Sequence, residues 1–265
     1  MICVISGQTK TRKICVICVI CGQAKARKCG QRDPQSEARP AISGHSSSAR
    51  RLILAIVVLK VYPAAAPIAA FVVAHGAGAG QTSQFMVRAA AGLASRAIST
   101  ATFDFPYITA GRRIPDRAPV LESAWRDAVD AARREWPGLP LFIGGKSMGG
   151  RIASHVASQG GCGLLAGLVF FGYPLHPPGK PQQRRDAHLP AIAEPMIFIQ
   201  GSNDQFGSAG EIQSLLPSLQ RATLYEIPGG DHSFKVPGGK ARQDPVIANV
   251  LDTAAAWMAA HRPGP

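Results

Sequence analysis

The sequence predicts an α/β fold in which a mostly parallel sheet is flanked by helices and no large cap domain is present. Short apolar runs alternate with amphipathic stretches from about residue 52 onward, and the connections between them are short. Strands of a parallel sheet are buried on both faces and are therefore continuously apolar, whereas the covering helices keep one apolar face. A hydrophobic content of 46% with 17% charged residues fits a chain that folds around a core.

Six apolar runs have the length of buried strands, at residues 71–74, 101–105, 139–143, 164–171, 196–199 and 223–227. An earlier run at 52–59 follows two arginines and is interpreted as a further strand, although it also resembles the core of a signal peptide. Helices are expected at 82–98, 116–136, 148–159, 208–216 and 245–261. In the second of these, Leu121, Trp125, Val129 and other apolar residues fall on one helical face.

The composition predicts two regions: an extension at 1–51, which we expect to be disordered, and a folded domain at 52–265. Residues 1–60 carry a net charge of +9 out of +13 for the whole chain, so the basic character belongs mainly to the extension. The extension also contains an internal repeat, with ICVISGQTKTRK followed by ICVICGQAKARK, and a polar linker. A solvated basic tail is the preferred interpretation, and a nucleic-acid contact by this tail is the weaker alternative.

Five of the six cysteines lie in the first 29 residues, so the folded domain has no disulfide framework. Cys15, Cys18 and Cys21 form a C-x2-C-x2-C pattern that could hold a metal ion or an iron–sulfur cluster, but no histidine is near. Low-complexity sequence is the preferred explanation. We therefore expect no cofactor, no metal, no nucleic-acid partner and no membrane association, in a reducing cytoplasmic compartment.

The strongest motif is Gly145-Lys146-Ser147-Met148-Gly149, which follows an apolar strand and precedes a helix. This strand–turn–helix setting is the one in which G-x-S-x-G presents a nucleophilic serine on a sharp turn. Glycine is expected at both ends of the motif because a side chain there would collide with neighbouring backbone. Ser147 is thus the candidate nucleophile.

Two phosphate-binding motifs are excluded by single positions. A phosphate loop would need glycine five residues before Gly145, where the chain has Pro140. The glycine-rich segment Gly76-Ala77-Gly78-Ala79-Gly80 lacks the third glycine of a dinucleotide fingerprint, because residue 81 is Gln. Neither nucleotide-binding function is therefore expected.

Asp204 and His232 are the candidate acid and base, since each follows an apolar strand and they occur after the serine in the order Ser, Asp, His. Asp231 is a competing acid, but a residue adjacent to the histidine rarely points at its ring. His75 is expected to be structural, because the base of such a constellation comes last in the chain.

The loop after the strand at 71–74 is interpreted as part of an oxyanion hole. The backbone N–H groups of Ala77 and Met148 are the candidate donors, with Met148 at the N-terminus of the helix that follows Ser147. Gly76 is the glycine of this loop that we single out together with Gly145 and Gly149.

With these residues identified, the chain resembles the α/β-hydrolases of the dienelactone-hydrolase-like kind. More closely, it resembles a branch of small bacterial predicted hydrolases, the testis-expressed homologue of animals and a subunit of the non-specific-lethal chromatin complex. The matching stretches cover about residues 58–262 and include AHGAGAG, FDFPY, FIGGKSMGGRIAS, LVFFGYPLHPPGKP, IQGSNDQFG and GGDHSFKVP. The resemblance implies Ser147, Asp204 and His232 as a catalytic triad and does not imply a substrate.

The function that we expect is that of a carboxylesterase-like serine hydrolase acting on a small ester or thioester. Residues 173–194 are too few for a lid domain, which predicts an open site. Arg112, Arg113, Lys146 and Lys180 either favour an acidic acyl group at its mouth or are solvated surface charge. The alternative is a non-catalytic interaction domain on the same fold, as the chromatin-subunit resemblance allows.

Overall fold

The computed structural model describes residues 57–262, so the predicted extension at 1–51 lies outside the described residues. In chain order the elements are β1 (Lys60–Tyr62), β2 (Ala69–Ala74), α1 (Gln84–Ala94), β3 (Ile98–Phe103), α2 (Pro106–Thr109), α3 (Ala118–Glu135), β4 (Leu141–Lys146), α4 (Met148–Ser158), β5 (Gly167–Phe171), β6 (Met196–Gly201), α5 (Ala209–Leu215), β7 (Ala222–Ile227) and α6 (Gly239–His261). Single 3₁₀ turns lie at Leu189–Ala191 and Leu216–Ser218.

The strands form one seven-stranded sheet in the order β1-β3-β2-β4-β5-β6-β7. Among the strands of residues 57–262, only β1 runs antiparallel to its neighbour, and the other five pairings are parallel. The mostly parallel sheet that the apolar runs predict is therefore confirmed.

Both faces of the sheet are covered, because successive residues of the strands point to opposite sides. In β2, Val72 joins a buried cluster that contains Trp125 of α3 and Ile152 of α4. Its neighbour Phe71 joins a second buried cluster with residues of α1 and α6, including Leu251. Because helices cover both faces of the sheet, all six residues of β2 are buried.

The parallel arrangement brings three loops to one edge of the sheet, since the carboxyl ends of parallel strands lie side by side. Lys146, the last residue of β4, is paired with Phe171 at the end of β5. At the ends of β6 and β7, Gly201 is paired with Ile227. The segments that follow β4, β6 and β7 carry the three candidate residues.

Several predicted boundaries differ from the structure. The strand expected at 52–59 falls partly outside the described residues, and its described part, 57–59, is irregular and precedes β1. The run at 164–171 becomes a strand only at Gly167, because the carbonyl of Leu164 accepts a hydrogen bond from Arg133 instead of pairing with a strand. Helix α6 begins at Gly239 and contains Pro245, which we expected near its start.

The connection between β5 and β6 holds a single 3₁₀ turn as its regular structure, so the prediction that no large cap is present is confirmed. Within residues 57–262, no helix combines the length and the apolar character needed to cross a bilayer.

Candidate active site

Ser147 lies at a sharp turn between β4 and α4. Its backbone has φ 52° and ψ −118°, a conformation that residues with a side chain rarely adopt. The turn is held from the next strand, because the N–H of Ser147 donates to the carbonyl of Phe171 at 3.1 Å. The hydroxyl therefore stands at the carboxyl edge of the sheet, beside the N-terminus of α4, where the helix dipole favours negative charge.

The glycines on either side of Ser147 are enforced by neighbouring backbone. A Cβ at Gly145 would lie 2.4 Å from the carbonyl oxygen of Ala74, and one at Gly149 would lie 2.3 Å from the same atom. Both distances are far inside van der Waals contact, and neither contact involves a flexible side chain. Gly76 differs, because a Cβ there would meet the Cβ of Ser147 at 3.6 Å, an ordinary contact.

The structure brings Ser147, His232 and Asp204 into a hydrogen-bonded row. His232 Nε2 lies 2.8 Å from Ser147 Oγ, and His232 Nδ1 lies 2.7 Å from Asp204 Oδ2. The three residues come from the loops after β4, β6 and β7, as much as 85 positions apart in the chain. In this arrangement the carboxylate accepts a hydrogen bond from Nδ1–H, which leaves the lone pair of Nε2 available for the serine proton.

Asp204 is buried and held by two further donors. Its Oδ1 accepts from the N–H of Phe206 at 2.8 Å, and its Oδ2 accepts from Gln200 Nε2 at 2.9 Å. These bonds fix the carboxylate plane toward His232, since an ionised carboxylate offers acceptors only.

Gln200 is a supporting residue that the sequence analysis did not identify. Its fully buried amide also donates to the carbonyl of Gly207 at 2.6 Å and accepts from the N–H of Tyr173 at 2.7 Å. It thus ties the exit of β5 to the loop that carries Asp204. The available signal was a polar residue inside the apolar run of β6.

Asp231 does not contact the His232 ring. Its Oδ1 accepts from the N–H of Ser233 at 2.7 Å and from the N–H of Lys235 at 2.8 Å. The side chain therefore closes its own turn, which is a common task of aspartate in loops.

Two side chains pack against His232 from other directions. The ring of Phe206 lies 4.2 Å from the imidazole, centroid to centroid. Lys146 Nζ donates to the main-chain carbonyl of His232 and lies 5.0 Å from the centre of the Phe234 ring. Burial lowers the pKa of Lys146 to about 8, against the opposing attraction of Asp204 and the Asp231 carboxylate.

Of the two candidate oxyanion donors, Met148 directly follows Ser147, and Ala77 follows Gly76, whose backbone lies near Ser147. Met148 is the first residue of α4 and is buried, whereas Ala77 is exposed in the loop after β2, next to Gly76. Neither N–H donates a hydrogen bond to another group among residues 57–262. Both amides are thus available to a ligand.

The burial and hydrogen bonds of His75 fit a structural role. It is fully buried, its Nδ1–H donates to the carbonyl of Gly76 at 2.8 Å, and its Nε2 accepts from the N–H of Phe105 at 3.3 Å. Burial lowers its pKa, which favours the neutral ring that this pair of bonds requires.

A second serine–histidine contact occurs on the flank of α4, where Ser154 Oγ lies 2.7 Å from His188 Nε2. Ser154 lies inside the helix, is fully buried and donates a hydrogen bond from its hydroxyl to the carbonyl of Arg151 at 2.7 Å. Burial, the adjacent ring of His155 and the guanidinium of Arg151 lower the pKa of His188 to about 4. Nothing in the sequence patterns pointed to this pair.

The four basic residues considered for the mouth of the site do not share one environment. Arg112 is paired with Asp116 at 2.6 Å, and Lys146 is engaged by the carbonyl of His232. Arg113 and Lys180 are exposed. No cluster of three or more His, Cys, Asp or Glu suited to a metal occurs in residues 57–262, and the cysteine pattern near residue 18 lies outside that range.

Comparison with solved structures gives the same fold. A dienelactone hydrolase from Anabaena variabilis is 20% identical, with a TM-score of 0.62 over 78% of this chain and 93% of that one. A serine hydrolase without a lid from Xanthomonas campestris is 18% identical, with a TM-score of 0.58 over 79% and 91%. Est1E of Butyrivibrio proteoclasticus, solved with ferulic acid, is 14% identical, with a TM-score of 0.59 over 77% and 96%.

The family assignment comes from the sequence itself. The model of a family described as an alpha/beta hydrolase domain matches residues 67–259, which is most of the chain. Together with the dienelactone hydrolase neighbour, this match confirms the broader resemblance, while the testis-expressed and chromatin-subunit branch stays a prediction. The chain belongs to the alpha/beta hydrolase domain family, and its fold is dienelactone-hydrolase-like.

Proposed function

We propose that the protein is a serine hydrolase that cleaves a small carboxylic ester or thioester through an acyl-enzyme intermediate. The observation that carries the proposal is the unbroken row from Ser147 Oγ through His232 to the buried carboxylate of Asp204, with contacts of 2.8 and 2.7 Å. A serine is a weak nucleophile until a base removes its proton, and a neutral imidazole oriented by a carboxylate does this at neutral pH.

In the first half of the reaction, Ser147 Oγ attacks the substrate carbonyl carbon while His232 Nε2 accepts the hydroxyl proton. Asp204 stabilises the imidazolium that forms, through its hydrogen bond to Nδ1–H. The tetrahedral intermediate then collapses, the bond to the alcohol or thiol breaks, and His232 returns the proton to that leaving group.

In the second half, water takes the place of the leaving group. His232 removes a proton from the water, the resulting hydroxide attacks the acyl carbon, and the Ser147–acyl bond breaks with return of the proton to Oγ. The products are a carboxylic acid and free enzyme. No cofactor is required for this sequence.

The negative charge on the tetrahedral oxygen needs fixed donors. The N–H groups of Ala77 and Met148 are our candidates, since neither donates a hydrogen bond within residues 57–262, and each belongs to a segment next to Ser147. The N-terminus of α4 adds the partial positive charge of its dipole. Removing one such donor typically costs about 10²–10³ in kcat.

The decisive test is labelling with a fluorophosphonate probe, followed by hydrolysis of p-nitrophenyl acetate, of longer esters and of an acyl thioester. Ser147→Ala is expected to abolish labelling and to lower kcat by roughly 10⁶-fold, because the triad acts as a unit. Ser154→Ala is the matched control, since it removes the other histidine-bonded serine, and it should keep both activities.

Wild-type hydrolysis that survives Ser147→Ala would refute the assignment of the nucleophile. A folded wild-type protein that neither reacts with the probe nor cleaves any ester would favour the non-catalytic interaction domain. Because the Est1E neighbour was solved with ferulic acid, a feruloyl ester is a reasonable member of the panel.

Two further assignments belong to the same proposal. We assign the hydrolase to residues 52–265 and treat residues 1–51 as an extension that takes no part in catalysis. The cysteine distribution favours a cytoplasmic location. Deletion of residues 1–51 should leave kcat and the melting temperature of the domain unchanged.

A further inference from the structure

Lys146 stands at the junction of three parts of the candidate site. It is the last residue of β4 and immediately precedes Ser147. A Cβ built on Gly76, in the oxyanion loop, would lie 3.9 Å from Lys146 Cγ. The side chain then crosses to the loop after β7, where Nζ donates to the main-chain carbonyl of His232.

The ammonium group of the half-buried Lys146 packs against an aromatic ring. It lies 5.0 Å from the centre of the buried Phe234 ring, a geometry in which a cation is attracted to the ring face. On the β5 side, Gly172 has φ +67°, and a Cβ there would lie 2.7 Å from Nζ and 3.2 Å from the carbonyl oxygen of His232. A side chain at position 172 would therefore enter the contact between the lysine and the loop.

We propose that Lys146 is a positioning residue that holds the loop of His232 against the serine turn, so that the imidazole keeps its contact with Ser147. The inference rests on the proposed function of these two residues. Lys146 does not touch the reacting atoms in this role, because its ammonium group is engaged by the backbone carbonyl and the aromatic ring.

The charge on Lys146 matters to the strength of this contact. A hydrogen bond from an ammonium to a carbonyl is roughly twice as strong as one from a neutral amine, and the attraction to the ring requires the cation. The other charged or titratable groups facing Nζ are Asp204 after β6, and Asp231 and His232 after β7. Burial lowers the pKa of Lys146 to about 8, so the contact weakens as pH rises through that value.

The first test is amide hydrogen exchange, which does not depend on activity. In Lys146→Met, which removes the donor at similar length, amides of residues 229–236 should exchange at least about tenfold faster than in wild type. Amides of helix α3, which the contact does not involve, should be unchanged and show that the variant is folded. Lys235→Met is the control, since it removes an exposed lysine of the same loop.

The second test uses ester hydrolysis. Lys146→Met should lower kcat by about 10–100-fold with little change in KM, because a misplaced base weakens the chemical step more than binding. Wild-type kcat should decline above about pH 8, whereas Lys146→Arg should recover part of the activity and lack this decline, since a guanidinium does not lose its proton in proteins.

The outcomes separate the two proposals. Unchanged exchange of residues 229–236 in Lys146→Met overturns the positioning role, whether or not the protein is an enzyme. An alkaline decline in Lys146→Arg equal to that of wild type also overturns the role of the charge. If wild type neither hydrolyses esters nor reacts with a fluorophosphonate, the proposed function fails, and hydrogen exchange alone decides the role of Lys146.

Discussion

Gly149→Ala is the substitution whose consequences follow most directly from the structure. The added Cβ would lie 2.3 Å from the carbonyl oxygen of Ala74 and 2.7 Å from that of His75. Ordinary van der Waals contacts begin near 3.4 Å, so α4 and the end of β2 must separate by roughly 1 Å. Both obstructing atoms belong to the backbone, and no side chain can rotate away to relieve the contact.

The expected cost has two opposing parts. Overpacking of a tight interior site costs about 1–3 kcal/mol, while replacing glycine by alanine inside a helix recovers about 0.5–1 kcal/mol. Because the obstructing atoms are backbone, the upper end of the first range applies, and the net loss of stability is about 2–2.5 kcal/mol. For a domain of this size this lowers the melting temperature by roughly 4–10 °C. Because β2 leads into the Gly76 loop beside Ser147, kcat should also fall by about 10²-fold, the usual effect of a 1 Å misplacement.

Thermal unfolding followed by circular dichroism and hydrolysis of p-nitrophenyl acetate measure both effects. Gly210→Ala is the matched control, because this glycine is exposed on α5 and a Cβ there would meet only Ser208 Oγ at 3.9 Å. The control should be as stable as wild type or slightly more stable. A Gly149→Ala protein with the melting temperature and kcat of wild type would refute the argument from close packing.

The other predictions concern residues around the row. Asp204→Asn should lower kcat by about 10⁴-fold, since the amide no longer fixes the required imidazole tautomer, and a loss under about tenfold in the same assay would contradict its role. Gln200→Met should destabilise the fold by about 2–4 kcal/mol in urea unfolding, because buried partners in Tyr173 and Gly207 lose their bonds; a change under about 0.5 kcal/mol would count against this. The pKa of His188 is lowered to about 4 in the folded protein. Its effect on the free energy of unfolding is therefore absent above pH 6.5 and destabilises the fold as pH falls toward 4, because the unfolded chain binds a proton there that the folded chain does not. In His188→Gln the melting temperature should fall less over this range than in wild type, and an equal fall would refute the assignment.

The sheet was predictable because each buried strand leaves a local signature. β2, β6 and β7 lie within two residues of the apolar runs that predicted them. The predicted strand boundaries were wrong where contacts between distant parts of the chain determine them. The carbonyl of Leu164 accepts a hydrogen bond from Arg133, and β5 therefore begins only at Gly167. Arg133 belongs to α3 and is distant in the sequence, so the local pattern could not indicate this contact.

Some residues of the candidate site could also be predicted from local sequence, and others could not. Ser147, Asp204 and His232 could be selected because each lies within about five residues of the end of an apolar run, and Ser147 also lies in a G-x-S-x-G motif; their catalytic role stays a prediction. Gln200 and Lys146 could not be assigned, since their partners are fixed by the register of adjacent strands and by the paths of the loops. The sequence analysis left Lys146 either as a charge at the mouth of the site or as solvated surface charge, whereas its ammonium group lies against the loop of His232.

The two serine–histidine contacts show why a hydrogen bond alone does not define a nucleophile. Their lengths are nearly equal, 2.8 Å for Ser147 with His232 and 2.7 Å for Ser154 with His188. Ser154 donates its hydrogen bond to a helix carbonyl, and His188 lies beside a second imidazole and a guanidinium, which both disfavour the imidazolium. Ser147 stands on a strained turn at a helix N-terminus, and its histidine is bonded to a carboxylate that favours the imidazolium. Because proton uptake from serine must be stabilised as it occurs, the environment of Ser147 fits the proposed attack on a carbonyl and that of Ser154 does not. The Ser147→Ala and Ser154→Ala variants test this difference directly.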